Sequence, residues 1–369
     1  MMRSRKFLVS GALLVLVAAA AAVYALAIYN PKPKAPKTAT ATTQRAHAAV
    51  TADAPCGSMA QPPKHYKHIV WIWEENKDAS QVVGVAPYID SLAAKCASET
   101  NILDNITTAA LPSEPEYAAA TSGSNCNQGI TSASGPGVDC IVDDGEYGPA
   151  NSLTTQSIFE LAKVGGGSWK SYQESMPTNC ALTDTHPYAF KHNPAAFYSR
   201  IGSDCAKYDV PIPAITCPTA GSADCSTPTG ALMDDLAGGK LATFTFITPN
   251  LDNDMHDGSV AQGDNWLKTY LPLFINGPNY QAGDTAIFIM WDEGSTASGA
   301  PLIPSLVIAP SVKAGTVVKT ASNNIGLLKT TEDALGLKPY LGCASGLAPG
   351  NTGTCSPESS ISLVKELNL

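Results

Sequence analysis

The sequence has no excess of basic residues. Its 369 residues include 23 Lys and Arg against 32 Asp and Glu, which gives a net charge of −9. Removing residues 1–27 would take away three basic residues and no acidic one, leaving a net charge of −12. Proteins that bind nucleic acid neutralise its phosphates with Lys and Arg. The charge balance therefore argues against a nucleic-acid partner.

The sequence also lacks any C-x-x-C pair and any internal repeat, although it contains ten cysteines. The missing pairs argue against a zinc cluster. All ten cysteines follow the apolar N-terminal run, and an even number in an exported chain is typical of disulfides, here up to five. Sequence neighbours such as Cys217 with Cys225 and Cys343 with Cys355 are the obvious pairs, but spacing leaves the connectivity open.

The first 29 residues have the pattern of an export signal. Three basic residues within positions 3–6 precede an apolar run over residues 7–29, and residues 25–27 form an Ala-Leu-Ala cleavage pattern. The run of 23 residues is also long enough to span a bilayer if it stays uncut. We therefore predict an exported protein, secreted or anchored at the cell surface, with membrane association only through this segment.

Composition divides the rest of the chain. Residues 30–55 are rich in Pro, Lys, Thr and Ala without apolar periodicity, which is typical of a flexible stalk. The folded domain is predicted over residues 56–369. Within it, residues 176–228 contain seven prolines and several cysteines, which predicts an irregular insertion tied by disulfides and covering the site.

Apolar runs rich in β-branched and aromatic residues predict strands buried on both faces, as in a parallel sheet. Strands are expected at 69–73, 101–106, 168–174, 241–247, 285–291 and 305–309, and helices at 86–99, 157–164, 259–276 and 326–337. This alternation predicts an α/β fold with a mostly parallel central sheet and helices on both faces.

Three of these strands end in carboxylate and carboxamide side chains. Glu75 and Asn76 follow the first, residues 250–257 follow the strand ending at 247, and Asp292 and Glu293 follow the strand 285–291. Ligands of open α/β sheets bind beyond the carboxyl ends of the strands. Each cluster alone could be a solvated turn, but like charges at one sheet edge repel unless a cation neutralises them. Oxygen ligands without thiolates fit Mg, Ca or Mn, and the histidine at 256 leaves a transition metal open.

A serine precedes a predicted helix of small residues. Ser113 lies between Pro112 and Pro115, and Pro115 suits the first helical turn, so Ser113 or Glu114 could simply be the helix N-cap. The functional alternative uses the same geometry, because the positive helix end and a nearby cation would lower the pKa of the serine. The segment 186–194, with two histidines and a lysine, either contacts a phosphate or lies on a surface loop.

In this order the motifs resemble those of the bacterial phosphoesterase family that contains acid phosphatases and non-haemolytic phospholipases C, within the alkaline-phosphatase-like superfamily. The resemblance extends from Lys67 to Leu337. It rests on Glu75-Asn76 after the first strand, Ser113-Glu114-Pro115-Glu116-Tyr117 with Ser122-Gly123, Lys191-His192-Asn193-Pro194, Asn253-Asp254-Met255-His256-Asp257 with Gly263-Asp264, and Trp291-Asp292-Glu293-Gly294.

This resemblance implies an alkaline-phosphatase-like fold and an exported, metal-dependent, acid phosphatase-like phosphomonoesterase with a phosphoserine intermediate. One divalent ion (Ca, Mg, Mn or Zn) would be held by Glu75, Asn76, Ser113, Asp292 and Glu293. Ser113 would be the nucleophile, and His192, His256 and Asp254 would position the phosphate or protonate the leaving oxygen. Lys191, His186 and Asp257 would contact the substrate.

Two departures from the family pattern stand out. Glu116 replaces the usual Asn, and Lys77 stands where Arg or His is common. The long C-terminal extension of the phospholipase C branch is not found in this sequence, which favours the phosphatase branch. The predicted partner is a phosphate ester, with phosphoinositides and other lipid-linked esters left open. The alternatives are a phospholipase C-type phosphodiesterase and a catalytically inactive cell-surface binding module, while the absence of C-x-P-x-R argues against a sulfatase.

Overall fold

The structure, a computed structural model, describes residues 50–104, 113–124, 152–295, 301–347 and 355–369, together with the backbone of two short strands between 131 and 136. The predicted export signal and most of the predicted stalk lie outside these residues. Among the described residues, no helix combines the length and the apolar character that a membrane span requires.

The strands and helices follow one another in alternation along most of the chain. The strands are β1 (His68–Glu74), β2 (Ala97–Glu99), β3 (Ile102–Leu103), β4 (Thr131–Ser132), β5 (Gly135–Pro136), β6 (Trp169–Glu174), β7 (Asp209–Ile212), β8 (Phe244–Thr248), β9 (Thr285–Trp291), β10 (Leu302–Ile303), β11 (Ser305–Ile308) and β12 (Thr316–Val318). The α-helices are α1 (Ala79–Val82), α2 (Pro87–Lys95), α3 (Ser113–Ser122), α4 (Ile158–Val164), α5 (Cys205–Tyr208), α6 (Ala231–Ala237), α7 (Val260–Ile275), α8 (Pro278–Gln281), α9 (Asn324–Leu335) and α10 (Val364–Leu367). Short 3-10 helices lie at Phe190–His192, Pro194–Phe197, Ser199–Asp204, Gly342–Ser345 and Pro357–Ser360.

An eight-stranded sheet organises the domain, in the order β12-β2-β11-β9-β1-β8-β6-β7. Five of its pairings are parallel, and only the two made by β11 are antiparallel. The predicted α/β fold with a mostly parallel sheet is therefore confirmed.

β1 lies near the middle of this sheet, between β8 and β9, and all its residues after His68 are buried. Its side chains alternate between the faces, as in any strand. Trp71 donates through Nε1 to Thr331 of α9, and the Trp73 ring lies 5.2 Å from that of Tyr117 of α3. The other face is covered by α7, whose Trp266 donates to Glu174 of β6. Helices thus cover both faces, as predicted.

Several predicted boundaries were wrong by a few residues. The helix expected over 86–99 ends at Lys95, and residues 97–99 form β2 instead. Of the strand expected over 101–106, the structure describes a strand at Ile102–Leu103. The closing helix, expected to begin at residue 326, begins two residues earlier, at Asn324. The segment 176–228 does contain irregular structure, but it also supplies β7 at one edge of the main sheet.

Four disulfides join cysteines of the described residues. The pairs are Cys56–Cys96, Cys180–Cys205, Cys217–Cys225 and Cys343–Cys355. Both pairs expected from sequence proximity are confirmed, and two of the four bridges lie within the segment 176–228. Cys126 and Cys140 lie outside the described residues. Disulfides at this density are typical of exported proteins.

Candidate active site

The strand register brings two of the predicted clusters together. Glu74 pairs with Trp291 at the carboxyl ends of β1 and β9, so Glu75 and Asp292 leave the sheet side by side. The backbone N–H of Asn76 donates to Asp292 Oδ1 at 3.0 Å. The third cluster, after β8, joins them because the N–H of Glu75 donates to the carbonyl of Asp254 at 2.8 Å.

The five predicted metal ligands lie in one cluster of oxygen atoms, of which four residues are buried and Asn76 is half-buried. Ser113 Oγ donates to Glu75 Oε2 at 3.0 Å, and the nearby hydroxyl also acts to lower the pKa of Asp292. The side-chain oxygen of Asn76 faces Glu293 Oε1 and Glu75 Oε2, both at 3.1 Å, so that three acceptor oxygens meet without a donor. Either rotation of the amide or a shared cation would make this contact favourable.

The electrostatics of the cluster fit a cation. Burial, with Asp292 and Asp254 nearby, raises the pKa of Glu75 well above its usual range. Burial also raises the pKa of Asp292, whose Oδ2 has no hydrogen-bond partner among the described residues. Buried carboxylates that repel one another become stable as anions when a divalent ion lies between them. The oxygen set of carboxylates, a carboxamide and a hydroxyl suits such an ion.

Ser113 is the first residue of α3 and is itself buried. Pro115 lies in the first turn of α3, as expected, and the helix begins at Ser113, so the serine stands at the positive end of the helix. Four residues on, Tyr117 donates from its hydroxyl to Glu75 Oε1. The carboxylate of Glu75 is therefore held by two side chains of the same helix.

His192 lies between two carboxylates of the site. Its Nε2 is 3.3 Å from Glu75 Oε1, and its Nδ1 is 3.3 Å from Asp254 Oδ2. The contacts that the two ring nitrogens make with these carboxylates are not aligned as hydrogen bonds. Burial, together with the nearby Lys191 and His256, lowers the pKa of His192 well below its usual value. The imidazole stacks on the Tyr117 ring with centroids 5.4 Å apart.

His256 completes the polar wall of the site. Its ring lies 5.5 Å from that of His192, and ligand atoms of Glu75, His192 and His256 lie within 4.8 Å of one another, close enough to hold a metal ion. Its Nε2 faces the ammonium of Lys191 at 3.4 Å. Its Nδ1 lies 2.8 Å from Asp257 Oδ1, and that contact lowers the pKa of Asp257.

His186 stands furthest from the oxygen cluster. Its side chain is largely exposed, and its Nε2 contacts the second carboxylate oxygen of Asp257 at 3.3 Å. Asp257 thus bridges the two histidines, and His186 joins the site only through it. Of the site residues predicted from the sequence, His186 and Asp257 are the exposed ones.

Other residues of the motif after β8 have structural roles. Asn253 donates to the buried carboxylate of Glu174, and Asp264 accepts the backbone N–H groups of Tyr88 and Ile89 at the start of α2. Gly263 leaves room for Met255, since a Cβ at Gly263 would lie 2.5 Å from two atoms of that side chain. Met255 has a positive φ of 77°.

Two residues of the site carried no predicted role. Tyr117 was part of a quoted motif, yet its bond to Glu75 depends on how α3 meets β1, which no local pattern shows. Lys77 donates to the carbonyls of Asn76 at 3.2 Å and Met255 at 2.7 Å, and so joins the loops after β1 and β8. The only indication of a role for Lys77 in the sequence was that it stands where Arg or His is common in the family.

A profile of the Phosphoesterase family matches residues 88–338, more than half of the chain. The chain belongs to the phosphoesterase family. It is accordingly a hydrolase that acts on phosphate esters. This phosphoesterase is 29% identical over 296 residues to a phosphatidylinositol-3-phosphatase of Mycobacterium tuberculosis, a match that covers 79% of this chain and 84% of the relative.

Fungal acid phosphatases are also similar to this phosphoesterase. The phosphate-repressible acid phosphatase of Penicillium chrysogenum is 27% identical over 254 residues, and the match covers 67% of this chain but only 53% of the relative. Among solved structures, a protein of the alkaline phosphatase superfamily from Vibrio parahaemolyticus has a TM-score of 0.44 and 15% identity, covering 76% of this chain and 69% of the other.

Proposed function

We propose that this phosphoesterase is an exported, metal-dependent phosphomonoesterase that acts through a phosphoserine intermediate. The observation that carries the proposal is the position of Ser113, whose buried hydroxyl lies at a helix N-terminus and donates to Glu75 within a cluster of five potential metal ligands. A serine hydroxyl becomes a good nucleophile only where its proton has an acceptor or a cation stabilises the alkoxide.

The chain's own residues account for the first step. As the bond from Ser113 Oγ to phosphorus forms, the hydroxyl proton has Glu75 Oε2 as its nearest acceptor, at 3.0 Å. The bond from phosphorus to the ester oxygen breaks, and the leaving alcohol takes a proton. His256 in its imidazolium form is placed to donate it from Nε2, because Asp257 accepts from Nδ1 at 2.8 Å; in the neutral ring Nε2 accepts from the Lys191 ammonium at 3.4 Å.

In the second step water attacks the phosphoserine, which releases inorganic phosphate and returns the proton to Ser113. We place the phosphate oxygens on the side of the site that His192 and Lys191 line. Asp254 Oδ1 accepts the backbone N–H of His256, and its Oδ2 lies 3.3 Å from His192 Nδ1. When bound to Glu75, Asn76, Ser113, Asp292 and Glu293, a divalent ion would supply Lewis-acid stabilisation of the phosphoryl charge.

We favour phosphate monoesters as the substrate class, because the proteins of similar sequence described above are acid phosphatases and a phosphatidylinositol-3-phosphatase. The latter name makes lipid-linked monoesters, phosphoinositides among them, the first natural substrates to test. Four disulfides support export, since such bonds persist in oxidising compartments.

A substrate panel with and without chelator tests the proposal. The purified chain is assayed on 4-nitrophenyl phosphate, bis(4-nitrophenyl) phosphate, phosphatidylinositol 3-phosphate and phosphatidylcholine, before and after chelation and re-addition of Mg, Ca, Mn or Zn. We expect the monoesters to be turned over fastest and activity to need one of these ions. Faster turnover of the diester or of phosphatidylcholine would assign a phospholipase C-type function instead, and binding without any turnover would indicate an inactive binding module.

Variants identify the metal ligands in the same assay. Glu75→Gln and Asp292→Asn should lose both bound metal and activity, while Asp204→Asn, which alters a surface ion pair with Lys163, should retain both. Full metal stoichiometry in Glu75→Gln or Asp292→Asn would remove that residue from the ligand set.

A further inference from the structure

Asp292 and Glu293 are consecutive residues, yet both of their side chains reach Asn76. Asp292 Oδ1 accepts the backbone N–H of Asn76 at 3.0 Å, and Glu293 Oε1 lies 3.1 Å from the side-chain oxygen of Asn76. Successive side chains of a strand point to opposite faces of the sheet. The backbone must therefore turn between Asp292 and Glu293, just beyond Trp291, the last residue of β9.

A buried amide holds this turn. Asn324 donates from its side-chain nitrogen to the carbonyl of Trp291 and to the carbonyl of Asp292, both at 2.9 Å. Because carbonyl oxygens only accept hydrogen bonds, the nitrogen of the amide must be the atom that faces them. The carbonyl of Asp292 belongs to the peptide that joins this residue to Glu293. The bond from Asn324 therefore fixes the rotation of that peptide.

Asn324 stands on a helix that is anchored to the central strand of the sheet. It is the first residue of α9, and it is only 2% exposed. Two turns further along α9, Thr331 accepts the indole N–H of Trp71 in β1 at 2.9 Å. A donor carried by such a helix is placed more accurately than one on a loop.

The other polar atom of the Asn324 side chain makes no comparable contact. Asn324 Oδ1 is buried and has no hydrogen-bond partner among the described residues. A buried polar atom without a partner costs free energy. What the carboxamide supplies at this position is therefore its pair of donors, placed on the two carbonyls on either side of the Asp292 α-carbon.

Other groups hold the far end of the turn. The backbone N–H of Gly294 donates to Asp104 Oδ2, and that of Ser295 donates to Asp78 Oδ1, both at 2.9 Å. These bonds lie beyond Glu293. A change at Asn324 would therefore release the peptide before Glu293 and leave the rest of the turn in place.

We propose that Asn324 is a positioning residue of the metal site, which turns Asp292 and Glu293 toward one cation by fixing the peptide between them. The inference rests on the proposed function, because it takes these two residues as metal ligands. Loss of a contact that orients a ligand typically weakens metal binding by about 10- to 100-fold. Asn324 thus acts on the second ligand pair as Lys77 acts on the first, where it binds the carbonyl of Asn76.

Two variants with different structural risks test the proposal. Asn324→Leu keeps most of the side-chain volume and removes both donors, whereas Asn324→Asp keeps the shape and replaces the donor nitrogen by an acceptor oxygen. Asn323→Asp is the matched control for charge and position. Asn323 is the N-cap of α9 and accepts the N–H of Gly326 at 2.9 Å, a bond that an aspartate also accepts.

Metal affinity is the quantity to measure. Titration calorimetry of the chelator-treated full chain with Mg, Ca, Mn and Zn identifies the ion that the parent binds most tightly. For that ion we expect Kd to rise at least about tenfold in both Asn324 variants and to stay within about twofold of the parent in Asn323→Asp. The stoichiometry should be that of the parent, since every ligand is still present. Excess ion should recover most of the turnover of 4-nitrophenyl phosphate.

Urea titrations of the metal-free proteins separate positioning from a role in the fold alone. A role in the fold alone would lower the unfolding free energy of both Asn324 variants and leave Kd as in the parent, and that result would overturn the proposal. Failure of both variants to fold would also overturn it, because Asn324 would then serve the whole domain. If the parent binds the ion but hydrolyses no phosphate ester, the proposed function fails, and the Kd values still decide on Asn324.

Discussion

At the scale of single residues, Ser113 separates an enzyme from a binding module. Ser113→Ala removes the nucleophile while leaving the carboxylates of the metal cluster in place. We expect turnover of 4-nitrophenyl phosphate to fall by at least ~10³-fold, which corresponds to about 4 kcal/mol of barrier. Metal affinity should fall less than in Glu75→Gln, because the serine is one contact among several.

Acid quenching with labelled substrate should place phosphate on a peptide that contains Ser113. If Ser113→Ala were nearly as active as the parent, the serine would have no catalytic role beyond its place at the helix terminus. Direct attack of water on the phosphate ester would then be the mechanism.

Lys77 is a second residue whose role can be tested alone. Its ammonium joins the carbonyls of Asn76 and Met255, two non-glycine residues with positive φ values of 42° and 77°. Lys77→Met leaves both half-buried carbonyls without this donor, and a lost bond to a charged donor costs ~1–3 kcal/mol. We expect weaker metal binding and a drop in kcat of at least about tenfold.

Lys77→Arg should recover most of the loss, since it keeps a cationic donor. Lys67→Met, which removes an exposed ammonium that pairs with Asp284, should behave like the parent. If Lys77→Met binds metal and turns over like Lys67→Met, Lys77 has no positioning role.

At the scale of elements, the contact between α7 and the loop after β8 holds the second half of the site. A Cβ at Gly263 would lie 2.5 Å from Met255 Cε and 3.1 Å from the carbonyl of Asn253. Gly263→Ala should therefore push Met255 and shift Asp254 and His256, with a loss of ~1–3 kcal/mol of stability from overpacking.

The kinetic outcome of Gly263→Ala distinguishes displacement of the loop from loss of folding. We expect the folded variant to have a lower kcat and a nearly unchanged affinity for metal, because the proposed ligands lie on other loops. Parent-like kcat in Gly263→Ala would mean that Met255 adapts without moving the loop.

The strands of the core were predictable because local composition determines them. Residues 69–73 and 285–291 are unbroken runs of apolar, mostly β-branched or aromatic residues, and they form β1 and β9. The helix after β1 was predicted too long because Tyr88, Leu92 and Cys96 keep helical spacing. The chain turns at Cys96 since β2 pairs with Leu306 and Val317, far away in sequence.

The same limit applies to the candidate site. The sequence was enough to predict that the clusters after β1, β8 and β9 lie close together, because the carboxyl ends of parallel strands lie at the same edge of the sheet. The bond of Tyr117 to Glu75 and the bridge by Lys77 could not be predicted. The first depends on the position of α3 over the sheet, and the second on left-handed backbone conformations at Asn76 and Met255.

At the scale of the whole molecule, we predict that the free energy of unfolding falls as pH rises, because several acidic side chains are buried. Burial raises the pKa of Glu99 and of Asp209 to about 7 and that of Glu332 to about 8. Each group binds its proton more tightly in the folded than in the unfolded chain. Its stabilising contribution is complete below pH ~4 and is lost as pH rises through its folded pKa.

Glu332 allows this pH dependence to be measured at one position. It accepts the N–H of Leu341, with Lys329, Lys338 and Asp333 nearby. Relative to Glu332→Gln, the parent should lose roughly 1–3 kcal/mol of unfolding free energy between pH 5 and pH 8. Urea titrations of both proteins at several pH values measure the difference. A parent-minus-variant difference that is flat with pH would mean that Glu332 keeps an ordinary pKa in the fold.

The position of β1 in the sheet has a consequence for biosynthesis. Its two neighbours begin at Phe244 and Thr285, so the strand that leads to Glu75 and Asn76 is made first and has no sheet partner until Phe244 and the residues after it have been made. Until then, residues 69–73 form an unpaired apolar segment, which invites pairing between nascent chains. Pairings so distant in sequence also close slowly. The yield of active enzyme would therefore depend on how well a chaperone shields this segment during synthesis, and much less on the stability of the finished domain.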